Sequence, residues 1–256
     1  MDKIDRIYYI NLERRKDRNE HFINQCHKHN LPFNKIEKFV ALDATTYNFS
    51  NDEILMFKDA DYKDKPFAKK IMGNQLSHYY ILKDIVKNKY KNAIIFQDDV
   101  ILKNNFLLYF KNIMNNIPVD TEILNFGLHK YAAYNTFIPW DLKNNTYLSD
   151  TDIIFQSVNS YICRMNTKYN PCSLSYVVTL QGAINFVNYF NSIGFLRATD
   201  YNYNVYLLSN DIYYASNLIL ATSNVNFKSD VFEKGDKMSD DEILLYDLTD
   251  PDPKEK

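Results

Sequence analysis

Glycine is scarce in this sequence, with only 5 among 256 residues. Loops that cradle phosphates, such as the dinucleotide fingerprint and the Walker loop, need several glycines at fixed spacing, and neither pattern is present. If a nucleotide binds, side chains and a metal must therefore hold its phosphates. A basic excess is also lacking, since the formal net charge is -2. General nucleic-acid binders usually carry such an excess, so we expect no nucleic-acid partner.

Cysteines are few, and long apolar runs are absent. Cys26, Cys163 and Cys172 do not have metal-ligand spacing, and their odd number does not indicate a disulfide framework, so we expect free thiols. No run is long enough to span a bilayer, and the N-terminus lacks the apolar core of a signal peptide. We expect a soluble, cytoplasmic protein without a membrane span, or a fragment of something larger. The sequence does not indicate an oligomeric state.

Strands and helices alternate through the first half of the chain, which favours an α/β fold with a mainly parallel sheet and helices on its faces. The second half is less regular. We expect one domain over 1–232 and an acidic, mobile tail over 233–256. The main predicted strands are 4–12, 33–42, 92–102, 121–128, 153–163, 175–179 and 212–220, and the main predicted helices are 13–30, 67–89, 104–116, 181–191 and 200–208.

Two adjacent carboxylates, Asp98 and Asp99, interrupt the apolar run at 92–102. Neighbouring anionic side chains in an apolar setting repel each other and are costly to desolvate, so a cation is expected beside them. Carboxylate oxygens suit Mg²⁺ or Mn²⁺. The alternative is a solvated turn after a strand, or a cap for the next helix. The residues alone leave both interpretations open.

Polar side chains follow three predicted strands where those strands end, namely Asn11, Asp43 and the pair Asp98 and Asp99. Because ligands bind at the carboxyl ends of the strands in such sheets, this convergence predicts a binding edge. Arg14 and Arg18 come directly after the first strand, where guanidinium groups can hold phosphates. Ion pairs along a solvated helix face are the alternative interpretation.

The long predicted helix places Asn74, Ser77 and His78 on one face, at spacing i, i+3 and i+4. Such a face can bind a polar ligand or form a hydrogen-bonded packing network. Gly73 costs about 1 kcal/mol in a helix relative to alanine, which indicates a close approach or a helix start. Further along the chain, Asp200 is either a general base or the N-cap of the segment after it.

Taken in order, these segments resemble those of glycosyltransferase family 25, the LPS-biosynthesis and procollagen galactosyltransferase family. The resemblance covers residues 4–230 and implies a GT-A fold, with a Rossmann-like nucleotide-binding sheet flanked by helices over 1–130. An irregular acceptor-binding half then covers 131–232. The segments that carry the resemblance are Ile10-Asn11-Leu12 with Arg14 and Arg18, Gly73 to His78, Gln97-Asp98-Asp99, Tyr176 to Ala183, and Asp200.

The resemblance also implies a function. It indicates a metal-dependent, inverting transfer of a hexose, galactose or glucose, from a UDP-sugar to a hydroxyl group. The acceptor would be a glycan, a lipopolysaccharide or hydroxylysine of a collagen-like protein, and the cofactor Mn²⁺ or Mg²⁺. The roles implied are metal binding by Asp99 with Asp98, diphosphate binding by Arg14 or Arg18, uridine contacts by Asn11 and Asp43, a donor pocket lined by Asn74, Ser77, His78 and Gln97, and a base at Asp200.

Two departures from the family pattern define the alternative. Gln97 stands where the family has glutamate, and Asn74 where it has cysteine. If the glutamate supplies charge at the donor, Gln97 weakens it, and the protein is then a catalytically weak or inactive sugar- or nucleotide-binding relative. No histidine follows His129, so a late metal ligand would have to be an oxygen from Asp200, Asn224 or Asn226. An aspartyl-phosphate phosphatase or a receiver domain is disfavoured. Such phosphatases need Asp-x-Asp, whereas these acids are adjacent, and receivers place their acidic pair after the first strand.

Overall fold

The structure is a computed structural model that describes residues 1–128, 140–141, 146–147, 155–165, 173–224 and 226–231. The tail predicted over 233–256 and Cys172 lie outside the described residues. Cys26 and Cys163 are free and buried, as expected. No helix in the described part of the chain has the length and apolar character needed to cross a membrane.

The elements in chain order are β1 (Arg6–Asn11), α1 (Lys16–Lys28), a 3₁₀ turn (Phe33–Lys35), β2 (Ile36–Val40), α2 (Asn51–Leu55), α3 (Ala68–Asn88), β3 (Asn92–Gln97), β4 (Val100–Leu102), α4 (Phe106–Asn115), β5 (Ile123–Asn125), β6 (Gly127–Leu128), β7 (Trp140–Asp141), β8 (Thr146–Tyr147), β9 (Phe155–Ser157), β10 (Ile162–Met165), β11 (Ser175–Thr179), α5 (Leu180–Ile193), α6 (Thr199–Ser209), β12 (Tyr214–Ser216) and β13 (Ala221–Ser223).

The central sheet has eight strands in the order β2-β1-β3-β11-β5-β12-β10-β9. Its first three strands are parallel, with β1 between β2 and β3. Strand β11 lies between β3 and β5 and is antiparallel to both. Strand β5 is in turn parallel to β12. The predicted α/β class with a Rossmann-like GT-A sheet and flanking helices is confirmed. The parallel half brings the carboxyl ends of β1, β2 and β3 to one edge.

Helices cover both faces of this sheet, so its central strands are apolar on both sides. Tyr8 and Ile10 of β1 pack in a core that includes residues of α3, α5 and α6. Ile7 and Tyr9, which alternate with them, pack in a second core with residues of α1 and α4. Successive side chains of a strand point to opposite faces, which explains why the strand reads as an unbroken apolar run.

The predicted strand 92–102 is wrong as a single element. Strand β3 ends at Gln97, Asp98 and Asp99 form a turn, and the chain then enters β4. Strand β4 belongs to a separate sheet of three strands, in the order β4-β13-β6. The carboxylate pair therefore lies where the chain passes between two sheets.

The predicted strands 153–163 and 212–220 are also interrupted. The first divides into the antiparallel strands β9 and β10, and Asn159 turns the chain between them by accepting from the backbone N–H groups of Tyr161 and Ile162. The second contains only the short strand β12, and the chain then leaves the central sheet for β13, which begins just after the predicted strand and joins the three-stranded sheet. Apolar runs alone do not predict a change of sheet.

Gly73 lies inside α3, and the close approach predicted for it is confirmed. A Cβ built on Gly73 would lie 2.4 Å from the backbone oxygen of Leu42. Helix α3 therefore packs directly against the chain that leaves β2 and leads to Asp43. The same crowding occurs at Gly182, where a Cβ would meet the Glu122 oxygen at 2.4 Å.

Gly73→Ala is expected to lower the free energy of unfolding by about 2 kcal/mol, because the added methyl group overlaps backbone that cannot move without distortion. In an unobstructed helix interior the same change would stabilise by roughly 0.5–1 kcal/mol, so the sign of the effect is diagnostic. Urea unfolding measures it. Lys69→Ala, at an exposed position of the same helix, is the control and should change little. A stabilised Gly73→Ala variant would contradict the packing described.

Candidate active site

The polar residues predicted at the strand ends meet at one edge of the sheet. Asn11 Nδ2 donates to Asp98 Oδ2 at 2.7 Å, which joins the end of β1 to the turn after β3. Arg14, beyond β1, donates through Nε to Asp43 Oδ2 at 2.7 Å, beyond β2. Arg18, in the first turns of α1, completes the group by contacting the turn after β3. The structure therefore brings these side chains into one connected cluster.

Asp98 is the most enclosed carboxylate of the cluster, with 6% of the residue exposed. Both of its oxygens are occupied, because Arg18 Nη1 donates to Oδ1 at 3.0 Å while Asn11 donates to Oδ2. Desolvation raises the pKa of Asp98 to about 6; the charge of Asp99 adds to the rise and Arg18 opposes it. Asp98 is therefore committed to holding the strand ends together.

Asp99 differs from Asp98 in having a free oxygen. Its Oδ2 lies 3.3 Å from Arg18 Nη1, whereas its Oδ1 is buried and has no hydrogen-bond partner. The backbone oxygen of Asp99 accepts from Asn224 N at 2.7 Å, which fixes the turn. A buried carboxylate oxygen without a donor is costly, and a bound cation would remove that cost. Asp99 thus has the chemistry of a metal ligand.

The described residues contain no group of three or more His, Cys, Asp and Glu side chains able to hold a metal ion. A metal at Asp99 would therefore have to complete its coordination with ligands such as donor phosphates and water. This is the usual arrangement for Mg²⁺, which keeps several waters and binds through one or two carboxylates and substrate phosphates.

Two further members of the cluster, Arg15 and Asp230, were not predicted from the sequence. Asp230 lies in a segment formed by residues 226–231, which we call the strap. Its carboxylate pairs with Arg15, and its Oδ1 lies 2.8 Å from Arg14 Nη1. Asp17 pairs with Arg15 at 2.7 Å. Nothing in the sequence near Asp230 indicates that it meets arginines more than 200 positions earlier.

Ser77 and His78 lie behind the cluster, in full burial. Ser77 Oγ donates to the Gly73 oxygen at 2.7 Å and accepts from Leu42 N at 3.0 Å, so it holds the chain just before Asp43. His78 Nδ1 is 2.7 Å from Tyr176 Oη, in β11. Ser77 and His78 therefore stabilise the residues around the site, through their hydrogen bonds to Leu42, Gly73 and Tyr176.

Burial lowers the pKa of His78 to about 3, and its Nε2 has no hydrogen-bond partner. The folded chain therefore resists protonation at a pH where the unfolded chain, with an ordinary histidine pKa near 6.5, takes up a proton. Stability from this group is complete above pH 6.5 and is lost as the pH falls toward 3.

We accordingly expect His78→Gln to flatten the pH dependence of stability between pH 6 and pH 4.5, removing up to about 1.4 kcal/mol per pH unit. Urea unfolding at several pH values measures the slope, which separates this effect from any pH-independent loss of packing. His27→Gln, at an exposed position of α1, is the control and should keep the wild-type slope. Equal slopes for His78→Gln and the wild type would contradict the burial of a neutral imidazole.

Asn74 and the residue before Asp200 meet at a different contact, between α3 and α6. Thr199 Oγ1 donates to Asn74 Oδ1 at 2.9 Å, and Asp200 is the next residue, in the first turn of α6. The N-cap of this helix is Ala198, so the alternative reading of Asp200 as the cap is wrong. Desolvation raises the pKa of Asp200, which makes its carboxylate a better proton acceptor.

Gln97 ends β3 beside the carboxylate turn. Its Nε2 donates to Ser173 Oγ at 3.1 Å, just before β11. A glutamate could not donate this hydrogen bond, so the amide has its own structural partner at this position.

Comparisons with known proteins give the family of this chain. The family model described as "Glycosyltransferase family 25 (LPS biosynthesis protein)" matches residues 4–203. Procollagen galactosyltransferase 2 from Homo sapiens is 24% identical over 187 residues, which are 70% of this chain and 26% of the relative. Procollagen galactosyltransferase 1 from Danio rerio is 24% identical over 188 residues, 70% of this chain and 28% of the relative.

Another relative is named as a probable inactive protein. The "Probable inactive glycosyltransferase 25 family member 3" from Bos taurus is 22% identical over 190 residues, 70% of this chain and 28% of the relative. The chain thus aligns with little more than a quarter of the length of these relatives. The family model nevertheless covers most of the chain, including every site residue except those after 203. The chain belongs to glycosyltransferase family 25.

Proposed function

We propose that this chain is a metal-dependent, inverting glycosyltransferase that moves galactose or glucose from a UDP-sugar to a hydroxyl group. The observation that carries the proposal is the Asp98–Asp99 turn, with one buried and unpartnered oxygen on Asp99, at the strand edge that also holds Arg14 and Arg18. Cations and a potential metal ligand at the carboxyl ends of parallel strands suit a nucleoside diphosphate. The names of the galactosyltransferase relatives support the choice of hexose.

The metal would be Mn²⁺ or Mg²⁺, held through Asp99 Oδ1, and it would supply positive charge beside the diphosphate leaving group. Asp98 would act through Asn11 and Arg18, which it holds in place. Arg14 and Arg18 would neutralise the phosphates by charge-assisted hydrogen bonds. Asn11 and Asp43 would contact the uridine, and Asn74 and Gln97 would face the donor sugar, with Ser77 and His78 supporting the wall behind it.

Inversion requires a single displacement. The acceptor oxygen forms a bond to the anomeric carbon as the bond from that carbon to the diphosphate breaks, and the hydroxyl proton passes to a base. We assign the base to Asp200, because it lies in the first turn of α6, next to the contact of Thr199 with Asn74, and its desolvated carboxylate has a raised pKa. The acceptor would be a glycan, a lipopolysaccharide or hydroxylysine of a collagen-like chain.

A panel of UDP-sugars tests this proposal. UDP-galactose and UDP-glucose, each with Mn²⁺ and with a chelator, are offered to a hydroxylysine peptide and to a lipopolysaccharide acceptor. We expect metal-dependent release of UDP and a β-linked product detected by NMR. Turnover with other nucleotide sugars but with neither UDP-galactose nor UDP-glucose would show that the proposed donor is wrong. Unchanged turnover in the presence of the chelator would show that the reaction needs no metal.

The second candidate is a catalytically weak or inactive member that binds a sugar or nucleotide. Gln97 favours it, because an uncharged amide bonded to Ser173 replaces the carboxylate of the family pattern. One relative is also named as a probable inactive family member. UDP binding with no turnover for any donor and acceptor would favour this candidate. If Gln97→Glu then restored turnover, position 97 would be the cause.

A further inference from the structure

The strap crosses the arginines that follow β1 and supplies them with a carboxylate. Asp230 Oδ1 lies 2.8 Å from Arg14 Nη1, Oδ2 pairs with Arg15 Nη1, and the same oxygen lies 3.9 Å from Arg18 Nε. All three guanidinium groups therefore converge on one anionic group of two oxygens. Only 18% of the Asp230 side chain is exposed, so its charge is largely removed from water.

Two other strap residues complete this contact. The Lys228 oxygen accepts from Arg18 Nη2 at 2.8 Å and from Arg15 Nη1 at 3.3 Å. The Phe227 ring lies against the same two guanidinium groups, at 5.4 Å from Arg18 and 5.7 Å from Arg15. The strap thus accepts hydrogen bonds from the guanidinium N–H groups and also packs an aromatic ring against the guanidinium groups.

Guanidinium donors that hold a carboxylate in this way suit phosphate oxygens equally well, because both groups accept paired, charge-assisted hydrogen bonds. They cannot hold both in one place, since the two anions would repel each other and would compete for the same N–H groups. A phosphate that reaches Arg14, Arg15 and Arg18 must therefore displace Asp230.

We propose that Asp230 is an internal competitor for the diphosphate of the sugar-nucleotide donor, and that the strap leaves the arginines when the donor binds. This inference rests on the proposed function, which puts the diphosphate at Arg14 and Arg18. It adds Arg15 to the diphosphate site and makes donor binding depend on release of the strap. The strap stays tethered on release, because the Asn224 N–H donates to the Asp99 oxygen just before it.

Binding measurements on the full chain test the competition. Asp230→Asn removes the charge but keeps the shape, and Asp17→Asn removes an equal charge from the solvent-facing side of Arg15. At fixed ionic strength, titration calorimetry measures the affinities for UDP with Mn²⁺, for uridine, and for inorganic pyrophosphate without metal.

If the strap contacts the arginines in nine of ten molecules, Asp230→Asn tightens binding of UDP and pyrophosphate by about tenfold. Uridine affinity should not change, and Asp17→Asn should leave all three within about twofold.

Trypsin cleavage after Lys228 gives a second measure that does not require a nucleotide. We expect pyrophosphate to speed this cleavage in the wild-type chain, and Asp230→Asn to be cleaved at the faster rate without ligand. Thermal unfolding of each variant confirms that the rest of the chain is folded.

The outcomes separate this inference from the proposed function. If Asp230→Asn binds both anions no tighter than Asp17→Asn, the competition is overturned; weaker binding would place Asp230 among the donor ligands instead. If pyrophosphate behaves as expected but neither UDP nor uridine binds, the UDP-sugar donor is wrong and the strap still competes with an anion. If neither the wild type nor either variant binds UDP or pyrophosphate, the arginines do not form an anion site and the inference fails.

Discussion

Asp99→Asn is expected to lower sugar transfer by about a thousandfold, because metal neutralisation of a leaving group contributes several kcal/mol to catalysis. The amide cannot supply the charged oxygen left unpartnered at Oδ1. Stability should change little, since Asp98 keeps its bonds to Arg18 and Asn11. Initial rates of UDP release measure the first effect, and thermal unfolding measures the second.

Two companion variants sharpen this experiment. Asp99→Glu keeps a carboxylate but moves it, so it should retain partial activity and need more Mn²⁺ for half-maximal rate. Asp211→Asn is the control, because that carboxylate is 70% exposed and pairs with Arg164 outside the cluster. If Asp99→Asn kept the wild-type rate, Asp99 would not be a metal ligand, whatever the other variants did.

Arg18→Met should lower the free energy of unfolding by about 3–5 kcal/mol, which is typical when one partner of a buried ion pair is removed. Arg18 is the only arginine in the described cluster that contacts both Asp98 and Asp99, and without it two enclosed carboxylates face each other uncompensated. Urea unfolding at pH 7.5 measures the loss. The loss should shrink at pH 5, where Asp98, with its raised pKa near 6, takes up a proton.

Lys16→Met is the matched control on the same helix. Lys16 pairs with Glu13 at 2.5 Å, but its side chain is 72% exposed, so its loss should cost less than about 1 kcal/mol. Asp98→Asn combined with Arg18→Met should recover part of the lost stability, because it removes one of the two unpaired charges. Equal losses for Arg18→Met and Lys16→Met would contradict a buried ionic cluster.

The sequence predicted the elements with strong periodicity and the edge at which they converge. The apolar run of β1 and the helical spacing of α3 depend on local pattern, and both elements formed within a few residues of their predicted bounds. Asn11, Arg14, Asp43 and the carboxylate pair were predicted at one edge because strand ends in a parallel sheet share an edge. Their contacts follow from that topology.

The missed features depend on distant parts of the chain. The residues near Asp98 and Asp99 do not show that the chain changes sheet there, because the next three residues pair with β13, over 100 positions later. Ser77 and His78 share a face with Asn74 by spacing, but packing against Leu42 and Tyr176 decides that they are enclosed. The Arg15 side chain meets the cluster through Asp230 of the strap, which returns to it from more than 200 positions later.

The pairing of β4 with β13 has a consequence for the order of synthesis. The carboxylate turn is synthesised well before its neighbours β13, Asn224 and Asp230, which follow it by more than 100 residues. Until they emerge, Arg18 is the charged partner available to both carboxylates from the earlier part of the cluster. The family match ends at residue 203, before any of these late neighbours. A recombinant fragment trimmed to the family boundary would therefore contain the acidic pair but lack the strand beside it, and the smallest useful fragment extends through the strap.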